Sequence, residues 1–258
     1  MSIAIHVIRL RCLWARIHAS LYSDTASCNT GRPSHNTRVG ELRAELEDWL
    51  ASMPPIRPRR GVALTIFATN DWFELNYNYC ILLLYRGEVI NKSRDVTDEV
   101  LMECLQAAKK ICDGYRRLYI GKPVNCTWGA VHFLFTAGLT YLHCIRTAPA
   151  AREAIRYDEI SRTCMNCTMV LVVMAERWKE AAPYRDIFEA LASRTMAMTV
   201  EMSQERPGAC PDTSSTPAHH HQQQPDPGDF TQWMAAIADS GMPGGIDELL
   251  DDMTAGLP

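Results

Sequence analysis

From Ile3 to Ser203 the apolar residues recur at steps of three and four, and after Ser203 that rhythm stops. Such spacing lines up one face of an α-helix and cannot line up a face of a strand, whose period is two. Ile3, Val7, Leu10, Trp14, Ile17 and Leu21 form one stripe. Val39, Leu42, Leu46, Trp49 and Met53 form a second, closed by Pro54-Pro55. A third helix begins at Asp71, with Glu74 at the capping-box position, and turns Trp72, Leu75, Tyr79, Leu82 and Leu83 inward, with Tyr85 closing the run. Thr97 caps a long fourth helix through Leu118, and Gly121 and Pro123 end it. A fifth runs from about Thr127 to Ile145, where Ala130, Ala137 and Gly138 leave one flank small. A sixth spans Asp158 to Trp178, and a seventh begins near Pro183 and reaches about Ser203. The single strand candidate, residues 61–68, has no partner. The expected fold is therefore all-α, a bundle of about seven helices over residues 1–203.

The rest of the chain is a different material. Residues 204–228 are rich in Pro, Ser, Thr, His and Gln and include the tract His219-His220-His221-Gln222-Gln223-Gln224, the composition of a disordered linker. All 26 Lys and Arg lie at or before Arg206, whereas the last 52 residues hold eight acids and no Lys or Arg. The body is thus net +4 and the tail net −8. In the tail (229–258), Phe230, Trp233 and Ile237 fall on one helical face, and Ile246, Leu249, Leu250 and Met253 on another, ringed by Asp and Glu. Short acidic amphipathic helices of this kind fit a coactivator groove, which makes those seven residues the candidate coactivator contacts. A terminal helix docked on the body is the structural alternative.

Several functions lack their residues. No Gly-rich phosphate loop, G-x-S-x-G or H-E-x-x-H is present. Asp251-Asp252 starts a D-D-x-x-D pattern that fails at Ala255. Cys164 with His132 or His143 could form a Cys–His pair, but Cys and His on apolar helix faces are more often structural, and no enzyme is expected. Arg57, Arg59 and Arg60 sit in a connector without interleaved aromatics. No uncharged segment reaches the ~20 residues needed to span a bilayer, and no clean secretory leader precedes the first stripe, which is broken by His6, Arg9, Arg11 and Arg16.

The order of several pieces carries more. An Ala137-Gly138-Leu139-Thr140 helix precedes a helix ending Glu176-Arg177-Trp178, followed by Tyr184-Arg185-Asp186 with Phe188-Glu189. Upstream lie Arg9-Leu10-Arg11, Leu46 to Trp49 with Pro54, and Leu83-Leu84-Tyr85-Arg86. In this order they resemble the carboxy-terminal part of the regulatory region of fungal zinc binuclear-cluster transcription factors. The resemblance covers about residues 3–203. It implies an all-helical regulatory domain in a nuclear regulator of RNA polymerase II transcription, with coactivators as partners and self-association as a further possibility. From their type and their places on the apolar stripes, Trp49, Tyr85, Trp128, Trp178 and Phe188 are expected in the core, and Trp178→Ala, at the end of the stripe through Ile160, Cys164, Leu171 and Met174, is expected to cost about 3–5 kcal/mol. An all-α small-molecule-binding protein or enzyme of secondary metabolism is the alternative.

The chain departs from that family in two respects: the amino-terminal half of the regulatory region is missing, so an open apolar face is expected where that half would pack, and so is the DNA-binding cluster. Six cysteines within about thirty residues hold the family's zinc-bound DNA-binding module. Here ten cysteines are scattered from Cys12 to Cys210, and only Cys164 and Cys167 have C-x-x-C spacing. No zinc or other cofactor is expected in this chain, and DNA contact is expected only through the module it lacks. The cysteines are expected to act as small hydrophobes inside helices. The purified chain should therefore give no sequence-specific mobility shift at physiological salt, because a +4 body offers few phosphate contacts and those are salt-labile. A specific shift that persists there would overturn this reading.

Overall fold

The computed structural model describes residues 2–22, 34–55, 69–90, 96–119 and 128–204. Among them every regular element is helical, so the fold is all-α. The elements are α1 (Ile3–Leu21), α2 (His35–Ala51), α3 (Asn70–Ile90), α4 (Asp98–Tyr119), α5 (Trp128–Thr147), α6 (Pro149–Ala154), α7 (Tyr157–Arg177) and α8 (Ala182–Gln204). A single 3-10 turn, Lys179–Ala181, links the last two. The strand candidate at 61–68, the Arg57–Arg60 connector, Gly121 with Pro123, and the whole chain from 205 onward lie outside the described residues.

Local chemistry sets the helix starts. Ser2 and Ser34 cap α1 and α2, accepting from the amides of Ile5 and Thr37. Thr97 caps α4 as expected, accepting from the amide of Val100 at 3.4 Å. At α3 the expected cap is corrected: the helix begins at Asn70, and the Thr69 hydroxyl accepts from the Trp72 amide at 3.2 Å. Asp71 lies in the first turn instead, where its charge complements the helix dipole and meets Arg117 at 3.3 Å. The short α6 was not expected either. Its Arg152 donates to the carbonyls of Ile145 and Arg146 at 2.8 and 2.7 Å, satisfying groups left open where α5 ends.

The core sits between α4 and α5. Helix α5 packs against α3, α4, α6, α7 and α8, and every residue from Ala137 to Ile145 is buried. Along that stretch neighbours pack on every side, so even Thr140 and His143 are buried. Helix α4 is amphipathic and takes α3, α5 and α7 on its apolar face. Helices α1 and α2 close the bundle over α3, and α7 and α8 pair on the other side. Gly138 marks the tightest approach. A Cβ built there would stand 2.6 Å from Phe188 Cε2 and 2.9 Å from Cys167 Sγ, closer than real contacts allow.

The expected core aromatics divide. Trp49 and Phe188 are buried, at 5% and 1% exposure. Tyr85, Trp128 and Trp178 are only half-buried, packed against the core from its rim. Trp128 opens α5, with its ring edge-on to Tyr184 at 5.6 Å. Trp178 follows the last residue of α7 in an extended conformation, so the chain has already turned away from the buried stripe. A full core loss of 3–5 kcal/mol, expected for Trp178→Ala from the stripe through Ile160, Cys164, Leu171 and Met174, therefore does not apply. The half-buried ring predicts about 1–2 kcal/mol. Gly138→Ala, by contrast, adds one carbon and should cost about 1–3 kcal/mol by overpacking. Urea unfolding with an unchanged slope and a lowered midpoint checks both values.

Candidate functional site

The seven candidate coactivator contacts, Phe230, Trp233, Ile237, Ile246, Leu249, Leu250 and Met253, lie outside the described residues, as does the His219–His221 tract. What the helical body offers is a set of surfaces and a dry interior.

The interior holds the cysteines. Cys80, Cys104, Cys112, Cys144, Cys164 and Cys167 are buried free thiols, and Cys12 is exposed. Burial pushes the thiols of Cys80, Cys144 and Cys164 up to about 12, so they stay protonated and poorly nucleophilic. Burial first, and the hydrogen bond with Cys112 second, raise Cys167 well above the ordinary thiol value. The C-x-x-C pair thus packs against Cys112 between α7 and α4. Among the described residues no group of three or more His, Cys, Asp or Glu could hold a metal ion. The Cys164 thiol faces Cys112 rather than an imidazole. His143 instead bonds the backbone of Val89, and His132 is half-buried.

Two histidines are buried without charge. The ring of His6 lies flat on Trp49, 4.6 Å between centroids at 9°, and meets the edge of Phe73 at 5.4 Å. Both its ring nitrogens lack a hydrogen-bond partner. Burial, then the nearby Arg9, lowers its pKa. Trp49 Nε1 donates to the His6 carbonyl at 3.0 Å, which ties α2 to α1. Burial, then Arg146, takes His143 down to about 4.

A polar clamp joins α2, α3 and α4. Arg43 bonds Glu47 at 2.8 Å, the Tyr77 hydroxyl at 3.3 Å, and Glu103. Tyr77 donates in turn to Glu47 at 2.7 Å. Burial opposes the charge on Arg43, but the bonds to Glu103 and Glu47 outweigh it and raise the pKa. Beside the clamp, Tyr85 lines a shallow depression with Asn36, Val39, Glu88, Val96 and Val100, which explains why its ring is only half-buried. A second depression, between α4 and α7, is lined by Asp113, Arg116, Arg117, Arg162 and Asn166. Its partners are mostly internal: Asn166 donates to Asp113 at 2.7 Å, and Arg117 meets Asp71 and Glu74. Among the described residues no helix is long and apolar enough to cross a membrane.

Comparison with known proteins gives the class first. The chain is similar to fungal pathway regulators, so the resemblance read from its motifs is borne out. One relative is the positive regulator of purine utilization of Emericella nidulans, 25% identical over 180 aligned residues, which cover 62% of this chain and 16% of that protein. Another is pyrimidine pathway regulatory protein 1 of Saccharomyces cerevisiae, 28% identical over 141 residues, covering 55% of this chain and 15% of that protein. The chain thus spans about one sixth of the length of the curated relatives it matches. No family model and no solved structure matches it.

The buried histidines predict a pH dependence. The folded-state pKa values of His6 and His143 lie below the unfolded value near 6.5. Above about pH 6.5 neither state binds the proton and the histidines are neutral in their effect. Below it the unfolded chain takes up protons that the fold refuses, so stability falls as pH drops from about 6.5 towards 4. The loss from His143 is on the order of 3 kcal/mol. Denaturation midpoints across that window check the sign, and His143→Leu should flatten the profile.

Proposed function

We propose that this chain is part of a fungal transcription regulator acting in RNA polymerase II transcription in the nucleus. Its likeness to two fungal pathway regulators across more than half its length carries the reading. The all-helical body, residues 1–203, is the carboxy-terminal part of a regulatory domain. Residues 204–228 are its linker and 229–258 its acidic tail. Supporting this are the ordered motifs from Arg9 to Glu189, the free buried thiols in place of a catalytic pair, and the abrupt change of charge after Arg206.

In this reading the tail binds coactivators. Phe230, Trp233, Ile237, Ile246, Leu249, Leu250 and Met253 supply the apolar contact, while the surrounding carboxylates keep them solvated and steer them to a basic groove. In this reading the chain needs no zinc of its own, and contact with DNA belongs to the zinc-cluster module of such regulators.

Residues 226–258 fused to a heterologous DNA-binding domain should activate a reporter in a fungal host. Changing Phe230, Trp233, Leu249 and Leu250 together to Ala should abolish that activity, and changing any one Asp to Asn should weaken it only modestly. An inert fusion, expressed at normal level, would remove the coactivator reading.

A further inference from the structure

Helix α1 carries two apolar faces, and the body covers only one. His6, Leu10, Leu13 and Ile17 point into the core. On the opposite side Ile5, Ile8, Cys12, Ala15 and Ala19 repeat at steps of three, four, three and four, and all are exposed. Ile5 and Ile8 are 50% and 60% exposed, the most open apolar residues of the helix. A helix that merely caps a bundle has a polar outer face. This one has a continuous apolar ridge about four turns long, the pattern of a helix lying between two partners.

Charge decides what kind of partner fits. At 100° per residue, Arg9 and Arg16 border the ridge on one side, and Arg11 and His18 border it on the other. All four are exposed. Arg16 is paired with Glu45 of α2, and the guanidinium of Arg11 lies over the Trp14 ring at 4.1 Å. Even so, an arginine marks each margin; burial and Arg86 keep His18 neutral. A second copy packed ridge to ridge about a two-fold axis would set Arg9 close to the partner's Arg16 region, like charge against like, which costs affinity. The complement of this surface is an amphipathic helix with an apolar stripe between acidic margins.

The chain carries such a segment. Ile246, Leu249, Leu250 and Met253 fall on one face at helical spacing, flanked by Asp247, Glu248, Asp251 and Asp252, with no Lys or Arg after Arg206. We propose that residues 246–253 dock as a helix on the outer face of α1, apolar stripe to apolar ridge and carboxylates to Arg9, Arg11 and Arg16. The geometry of the chain allows it. Gln204 ends α8, and a coil of the roughly 40 residues between it and Ile246 has a root-mean-square span of about 35 Å. That is close to the width, about 40 Å, of a globule of 200 residues. The docking does not depend on whether the tail also binds a coactivator.

Cys12 lies in the middle of the ridge and reports on its cover. Site-resolved alkylation of Cys12, read by peptide mass spectrometry, is measured on the full chain and on the variant Ile246→Asp/Leu249→Asp/Met253→Asp. The substitutions lie outside the helical body, so an unchanged melting curve confirms that the body is intact. At low salt Cys12 should react about tenfold slower in the wild-type chain, the protection given by about 90% occupancy. Raising salt to about 0.5 M, where screening shortens to a few ångströms, should bring the wild-type rate towards that of the variant. Equal rates at low salt would overturn the proposal. Protection that fades on dilution of the wild-type chain would also overturn it, because the cover would then come from a second molecule. A reporter fusion that fails while Cys12 remains protected would sink the coactivator reading and leave the docking standing.

Discussion

The close approach at Gly138 is the constraint on which the bundle turns. With no Cβ at that position, α8 lays the Phe188 ring, and α7 the Cys167 sulfur, directly on the backbone of α5. Interiors pack at crystal density, so a helix that admits two neighbours this closely fixes the crossing of both. Because α5 also takes α3, α4 and α6, its position is set from all sides. The consequence reaches the chemistry. Thiols and imidazoles carried on α4, α5 and α7 are held in a dry interior, where their charged forms are disfavoured. Cys164 and Cys167 are protonated for that reason, and His143 is neutral for the same one.

The other half of the body is organised by polarity as well as packing. Helices α1 and α2 reach the core through fewer neighbours than α5 does, and directional contacts make up the difference. Arg43 joins Glu47, Tyr77 and Glu103 across three helices. Trp49 donates to the backbone of His6 while its ring covers the imidazole. The Tyr22 hydroxyl binds the Leu83 carbonyl and accepts from the Gly87 amide, pinning the end of α1 to α3. A charged group such as Arg43 is tolerated at the rim because each bond it makes is to a charged or strongly polar acceptor.

Much of this was legible in the sequence, and the omissions have physical reasons. The stripes of α1, α2, α3, α4, α5, α7 and α8 could be read because each buries a face of several turns. Helix α6 could not, since six residues are too few to show a period. At the start of α3, Asp71 with Glu74 fits a capping box, yet the Thr69 hydroxyl two residues earlier takes the Trp72 amide, which the Asp71–Glu74 spacing does not reveal. Trp128 and Trp178 looked like core residues from their type and neighbours. Both stand at helix ends, where burial depends on where the chain goes next rather than on periodicity. The tail contacts were read from composition and spacing, and they remain a reading of that kind.

The outer ridge of α1 shows the same limit from the other side. In Ile3–Leu21 two interleaved apolar series share one helix, and either could have faced the core. The series ending in Leu21 won because it carries Leu10 and Ile17, which with the neighbouring Leu13 are buried in the core, whereas the other holds Cys12, Ala15 and Ala19. Small residues bury little area, so they lose that competition. They also allow a second helix to approach closely, which large residues in the same places would prevent. The feature that makes this face the weaker core is therefore the one that makes it the better docking surface. The basic margins then select for an acidic partner rather than a second copy.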